Sequence, residues 1–198
     1  MTRVIATITA SVDGYITGPD DGPAQGLGRG GERLHYWVFG GPGTYAGGAR
    51  GEATGEDKAF FDEAMTRVGA VIGGRGTYEA ADHWGGTSPW PVPFFVVTHR
   101  PDEEPATGGF TFVGSLTEAV DRARAAAGDR DVSLMGGADL IRQALHDGLV
   151  DQLSISIAPV TLGAGKRLFE GFQDQLELEP IGVRQSPYAT HISYRVKH

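Results

Sequence analysis

Two short apolar runs in this sequence each end in consecutive glycines and pass at once into a helix-forming segment. Ala70-Val71-Ile72 runs into Gly73-Gly74-Arg75-Gly76-Thr77, and Val132-Ser133-Leu134-Met135 runs into Gly136-Gly137-Ala138. Glycine carries no Cβ, so at such turns the backbone can approach another group closely and adopt positive φ. A helix starting there offers unpaired N–H groups and the positive end of its dipole, a combination that suits a phosphate. Arg75 adds a charged fork, and Thr77 stands at the expected N-cap. One such turn is equally well explained by tight helix–sheet packing. Two of them on neighbouring parallel strands point to a dinucleotide or phosphate site at the carboxyl edge of an α/β sheet. Neither turn has the G-x-G-x-x-G or the G-x-x-x-x-G-K-[ST] spacing, which argues against the common dinucleotide fold and against an ATPase.

The surrounding pattern supports that architecture. Residues 3–12 are β-branched and read as a strand, closed by Asp13-Gly14. A helix is expected from Thr54, with Asp57 placed for a capping box and Phe60, Phe61, Ala64, Met65 and Val68 directed to the core. Phe94–Thr98 reads as a buried strand. Ser115-Leu116-Thr117-Glu118 is a capping box that opens a helix through Ala127, and a further helix runs from Ala138 to His146. After Asp151 the texture changes, and Leu153–Ile157 and Ala189–Val196 alternate as strands. The order predicts an α/β fold: a mixed, mostly parallel central sheet with antiparallel C-terminal strands and helices on both faces.

A chain of 198 residues suits one domain, which buries roughly 70% of its unfolded surface. The exception to regular patterning is a glycine-rich insertion at about 20–55; Gly26 to Gly55 alone hold 11 of the 31 glycines. A loop of that length is a lid or a mobile segment, and its apolar patch Leu34–Phe39 is expected to dock on the domain. The absence of cysteine excludes a disulfide framework, a thiolate zinc site and a cysteine nucleophile. The six histidines lack ligand spacing, so no metal is expected. A net charge of −8 argues against nucleic acid as a partner, but not against a phosphorylated small molecule. No apolar run approaches the ~20 residues that span a membrane, and the start is not a signal-peptide core. A cytoplasmic location is the expectation.

Thr98-His99-Arg100 directly follows a buried strand, which would set a hydroxyl and a cation beside an anion such as an adenosine 2′-phosphate; the alternative is a solvated loop arginine. With this segment the chain carries five motifs in order: Ser11-x-Asp13-Gly14, Gly73-x-Arg75-x-Thr77-Tyr78, Val96-Val97-Thr98-His99-Arg100, Met135-Gly136-Gly137-Ala138 and Pro159-x-x-Leu162-Gly163-x-Gly165-Lys166-x-Leu168-Phe169. In this it resembles the dihydrofolate-reductase-like superfamily. The Ser-x-Asp-Gly form and the Val150-Asp151-x-Leu153…Pro159 tail make it most similar to the C-terminal reductase domain of the bifunctional riboflavin-biosynthesis deaminase-reductase.

The resemblance implies a sheet of roughly eight strands and NADPH as cofactor. Gly74, Arg75 and Thr77 match the turn that holds the cofactor phosphates, and Thr98, His99 and Arg100 match the adenosine-phosphate loop. Gly136, Gly137, Ala138 and Asp139 match the turn under the pyrophosphate. Ala10 matches a position whose backbone holds the nicotinamide carboxamide. Asp13, Gly14, Tyr15 and Ile16 match the start of the covering loop. The implied reaction is hydride transfer to a C=N or C=O bond of a small heterocycle, its proton coming from Asp13, from a carboxylate of the insertion or from water. Tyr36, Trp37, Asp57, Phe61 and Trp84 are the expected substrate cleft, with a structural aromatic as the other reading of Trp84. True dihydrofolate reductases carry a carboxylate on the helix after the covering loop. Here Glu52, Glu56, Asp57 and Asp62 all remain candidates, and Leu34-His35-Tyr36-Trp37 stands where many relatives have Asp-Trp. The competing reading is a cofactor-binding module without turnover. C-terminal edge strands that need covering suggest a homodimer.

Overall fold

The computed structural model describes residues 2–23, 25–45, 51–103 and 108–197. The β-branched opening run forms β1 (Val4–Ser11) in the middle of an eight-stranded sheet. Across the sheet the order is β4 (Phe110–Val113), β3 (Phe94–Val97), β2 (Val68–Gly74), β5 (Asp131–Met135), β1, β6 (Gln152–Ala158), β8 (Thr190–Lys197) and β7 (Glu177–Gln185). Neighbours from β4 through β6 pair parallel, while β8 pairs antiparallel with both β6 and β7. Parallel pairs need crossovers, and the helices among them are α2 (Gly55–Arg67), α3 (Arg75–Ala80), α4 (Leu116–Ala127) and α5 (Ala138–His146), after the single turn α1 (Tyr36–Phe39).

Helices α4 and α5 follow the sequence pattern closely. Leu116, Ala119, Val120 and Ala123 of α4, and Ile141, Ala144 and Leu145 of α5, are buried against Val4, Ala6, Val132 and Leu134 of the sheet. Burial of each larger side chain contributes about 1.5–3 kcal/mol. Ser115 caps α4 by accepting the Glu118 N–H at 3.2 Å, and the Glu118 carboxylate reaches back to the Gly114 N–H.

Helix α2 departs from its expected apolar face. Phe60, Ala64 and Met65 are only half-buried, Phe61 is 40% exposed, and Asp57 is the one fully buried residue of the helix. The capping box does not form either. Thr54 caps α2 without a side-chain bond, because Asp57 turns inward and sets Oδ1 2.9 Å from His191 Nε2. At its other end Arg67 pairs with Asp131 at 2.7 Å, and Arg184 of β7 pairs with Glu63 and Glu56. The helix therefore spans a cleft on the second face of the sheet, tied by polar contacts instead of an apolar stripe.

The described part of the glycine-rich insertion is packed. A 3-10 turn at Gly31–His35 leads into α1 and seats Leu34, with no exposed surface, against Ala158 and Val160. Gly28 has φ +70, and a Cβ there would collide with the Gly18 carbonyl, so glycine lets this backbone fold onto itself. We expect Leu34→Ala to cost about 2–5 kcal/mol, as at any well-packed core site. Urea denaturation would show this as a lower midpoint; an unchanged midpoint would mean that the insertion is not part of the core.

Candidate active site

β2 and β5 are adjacent, so the two glycine turns at their carboxyl ends meet. The Gly74 N–H donates to the Gly136 carbonyl at 3.2 Å. Gly136 has φ +46, a conformation that strains any L side chain, and a Cβ there would lie 3.1 Å from Thr77 Oγ1 and press on it. Gly74, not Thr77, is the N-cap of α3; the helix starts at Arg75 and places Thr77 third, with its hydroxyl over the Gly136-Gly137 turn. Gly137 caps α5 with no side-chain bond, which leaves first-turn N–H groups of α5 available at the cleft.

Gly74, Arg75, Thr77, Gly136, Gly137, Ala138 and Asp139 line one cleft together with Thr98, His99, Arg100 and Ile16. Its volume of about 1800 Å³ exceeds the roughly 300–1,000 Å³ of a single small-molecule site, so two ligands fit side by side. Arg75 Nε donates to Glu79 at 2.7 Å and holds the guanidinium along α3. Buried Thr98 accepts the Arg100 N–H at 3.2 Å, fixing the loop that presents the exposed His99 and Arg100. Asp139 is ion-paired with Arg142, which also donates to the Arg167 and Leu168 carbonyls. The Ala10 side chain lies in the core on the opposite face, so only its backbone is left to serve the site.

Asp13, one of the expected proton sources, does not line the cleft, and its carboxylate is occupied by hydrogen bonds. Its carboxylate accepts from Ser11 Oγ at 2.6 Å and from the Gly163 and Leu162 N–H groups at 2.8 and 3.1 Å. These bonds, the one from Ser11 foremost, lower its pKa to about 2, so it is ionised at neutral pH. It fastens the covering loop to residues 159–169. Tyr15 does the same, donating to the Gly163 carbonyl and accepting from Arg167.

The substrate side forms around α1 and α2. Trp37 Nε1 donates to Thr9 Oγ1 at 3.1 Å, and the Trp37 ring packs near Phe60, Phe61 and His191. Phe60 stacks on His191 at 4.1 Å. His191 Nδ1 lies 2.7 Å from Ser156 Oγ, completing a buried Ser156–His191–Asp57 chain. Ser156 is 1% exposed, so the chain holds no accessible nucleophile.

Of the four candidate carboxylates Asp57 alone is buried, and contrary to expectation it does not itself line the cleft. Glu56 pairs with Arg184, Asp62 pairs with Lys58, and Glu52 is exposed. Asp57 lies behind His191, which itself lines the cleft. Tyr36 also departs from expectation, whereas both readings of Trp84 hold. Tyr36 does not line the cleft, because the helical turn of α1 directs it away from the side that Trp37 takes. Trp84 touches the cleft, but its ring belongs to an aromatic cluster with Trp90, Phe94 and Phe110, stacking on Phe110 at 5.9 Å. Among the described residues no three His, Cys, Asp or Glu are grouped to hold a metal ion, and no helix is long and apolar enough to cross a membrane.

Residues 2–192 match the family model described as the RibD C-terminal domain. A 70-residue stretch is 37% identical to the uncharacterized protein YyaP of Bacillus subtilis, spanning 35% of this chain and 37% of that protein. Over 144 residues the chain is 26% identical to the uncharacterized protein YwjB of the same organism, covering 72% of this chain and 82% of YwjB. Among solved structures, a riboflavin-biosynthesis candidate protein of Shewanella sp. PV-4 superposes with a TM-score of 0.72 at 23% identity over all of both chains. Dihydrofolate reductase of Enterococcus faecalis, complexed with NADP(H) and RAB-propyl, gives 0.58 at 16% identity, covering 99% of this chain and 97% of that one. At these identities the structural likeness is one of fold.

The depressed Asp13 pKa has a measurable consequence. Its contribution to stability is full above the ordinary value of 3.8 and disappears as pH falls through about 2. Asp13→Asn should therefore lower the thermal midpoint at pH 7, with the gap from the unmodified protein narrowing below about pH 4. A gap that stays constant down to pH 2 would contradict this role.

Proposed function

This chain belongs to the RibD C-terminal domain family, and from that premise we propose that it is an NADPH-dependent reductase of a C=N or C=O bond in a small heterocycle. The observation that carries the reading is the junction of the two glycine turns. It brings Arg75, Thr77 and the open N-terminus of α5 to one cleft, with Arg100 just past the end of β3, the next strand beside β2. These groups fit the cofactor's phosphates. A Cβ at Gly76 would meet nothing within 4 Å, so space stands open over the turn. The E. faecalis complex with NADP(H) supports the choice of cofactor.

When bound, NADPH supplies the hydride that reduces the carbon of the double bond, leaving NADP+, while the heteroatom takes up a proton. The chain binds and orients. Thr98 sets the Arg100 loop, Asp13 and Tyr15 hold the covering loop in place, and Trp37 with Phe61 forms the substrate wall. Asp13 is ionised and Asp57 is engaged by His191, so the proton reaches the heteroatom from water in the cleft. That engagement of Asp57 also favours the second reading, a cofactor-binding module without turnover. NADPH that binds tightly yet is never oxidised across pterins, pyrimidines, quinones and iminium compounds would decide for it.

Calorimetry is the test of the cofactor half. NADPH is expected to bind about tenfold or more tightly than NADH, the size of one charge-assisted contact to the 2′-phosphate. Arg100→Ala should remove that preference and leave NADH affinity within about threefold. Both readings fail if NADPH and NADH bind no better than AMP.

A further inference from the structure

The face of the sheet that α2 overlooks is mostly polar. On β5 the side chains alternate between Val132 and Leu134, fully buried on the face that packs α4 and α5, and Asp131, Ser133 and Met135, which line the cleft. Along β1 and just before it, Arg3, Ile5, Thr7 and Thr9 line the same cleft. The opening therefore runs from the glycine turns to the amino ends of these strands. Asp131 stands five residues before Gly136, about 17 Å at 3.3 Å per residue, too far for one small ligand to touch both ends.

Two arginines meet at that amino end. Arg3 donates to the Asp131 carboxylate from Nε at 3.2 Å and Nη2 at 2.7 Å. Arg67, the last residue of α2, donates to the same carboxylate from Nε at 2.8 Å and Nη2 at 2.7 Å. Asp131 is buried, while the side chains of Arg3 and Arg67 stay 38% and 49% exposed. Each spends one side of its fork on Asp131, and neither Nη1 has a protein partner among the described residues. Two cations on one carboxylate leave one positive charge uncancelled. Glu63, one turn before Arg67, is held by Arg184, and neither Asp129 nor Asp151 lines the cleft. Ser133, two residues along the same face from Asp131, adds a hydroxyl without a protein partner among the described residues. We propose that this amino end is a second binding site, separate from the cofactor's, for a small oxyanion, a phosphate or a carboxylate. Asp131 holds both guanidinium groups in place beforehand, so the anion meets donors that need little further ordering. Arg67 alone would tie α2 to β5; Arg3 brings a second cation to the same opening.

The test is an NMR titration of the full chain with sodium phosphate at constant ionic strength, read at backbone amides and arginine Nε–H groups, with and without saturating NADPH. Saturating shifts are expected at the Arg3 and Arg67 Nε–H groups and the Ser133 amide, with a Kd of about 1–5 mM. NADPH at the far end should change that Kd by less than about threefold. Malonate in a second titration separates a carboxylate ligand from a phosphorylated one: the tighter binder names the class, and equal binding supports a general oxyanion site. Arg67→Lys keeps the charge and its tie to Asp131 but loses the fork, and should weaken binding about tenfold. Shifts that stay linear to about 20 mM with both anions, that sodium chloride reproduces, that are confined to the glycine turns, or that Arg67→Lys leaves unchanged overturn the proposal. Failure of NADPH to bind would remove the reductase reading alone, since the anion titration is also run without it.

Discussion

The hydrogen bond from Gly74 to the Gly136 carbonyl is the contact on which the rest of the site depends. It joins the ends of two adjacent parallel strands at the point where each gives way to a helix. With a Cβ at Gly136 the approach of Thr77 would be crowded and the positive φ of the turn strained. Because the turns meet, cations and open N–H groups that are about sixty residues apart in sequence act on one volume. An acidic chain with a net charge of −8 can in this way hold a locally positive site.

The opposite wall is built by different means. Helix α2 buries little apolar surface, so its position is set by what holds its ends. The exposed ion pairs to Arg184 contribute little, with about 0–1 kcal/mol typical of such contacts. Asp57 and His191 are different, since both are nearly inaccessible and removal of one partner from a buried pair costs about 3–5 kcal/mol. The Ser156–His191–Asp57 chain thus fixes where Trp37, Phe60 and Phe61 stand. The same chain keeps the Asp57 carboxylate buried on His191 and out of the cleft lining, which separates this cleft from one lined by a free carboxylate.

The parts of this arrangement that were legible in the sequence are those written locally. The boundaries of α4 and α5, the ends of β2 and β5, and the antiparallel C-terminal edge follow from periodicity, caps and glycines within a few residues. The inward turn of Asp57 was not legible, because its partner His191 lies 134 residues away and a single histidine in an alternating strand carries no local mark. For the same reason Ser156 and His191 escaped notice as site residues. β7 was obscured by Pro180 and Gly182, which interrupt its alternation where the pairing with β8 shifts register. The apolar spacing of α2 resembled a core face because sequence period does not distinguish a side that meets a core from one that overlooks a cleft.

The central claim is that the junction of the two glycine turns holds the phosphates of a nicotinamide dinucleotide. The most direct measurement is an NMR titration of backbone amides with NADPH. The account predicts that the largest shifts fall on Gly76, Thr77, Gly137, Ala138 and Asp139, followed by Thr98 to Arg100. Shifts centred elsewhere on the protein, or none at saturating NADPH, would contradict it.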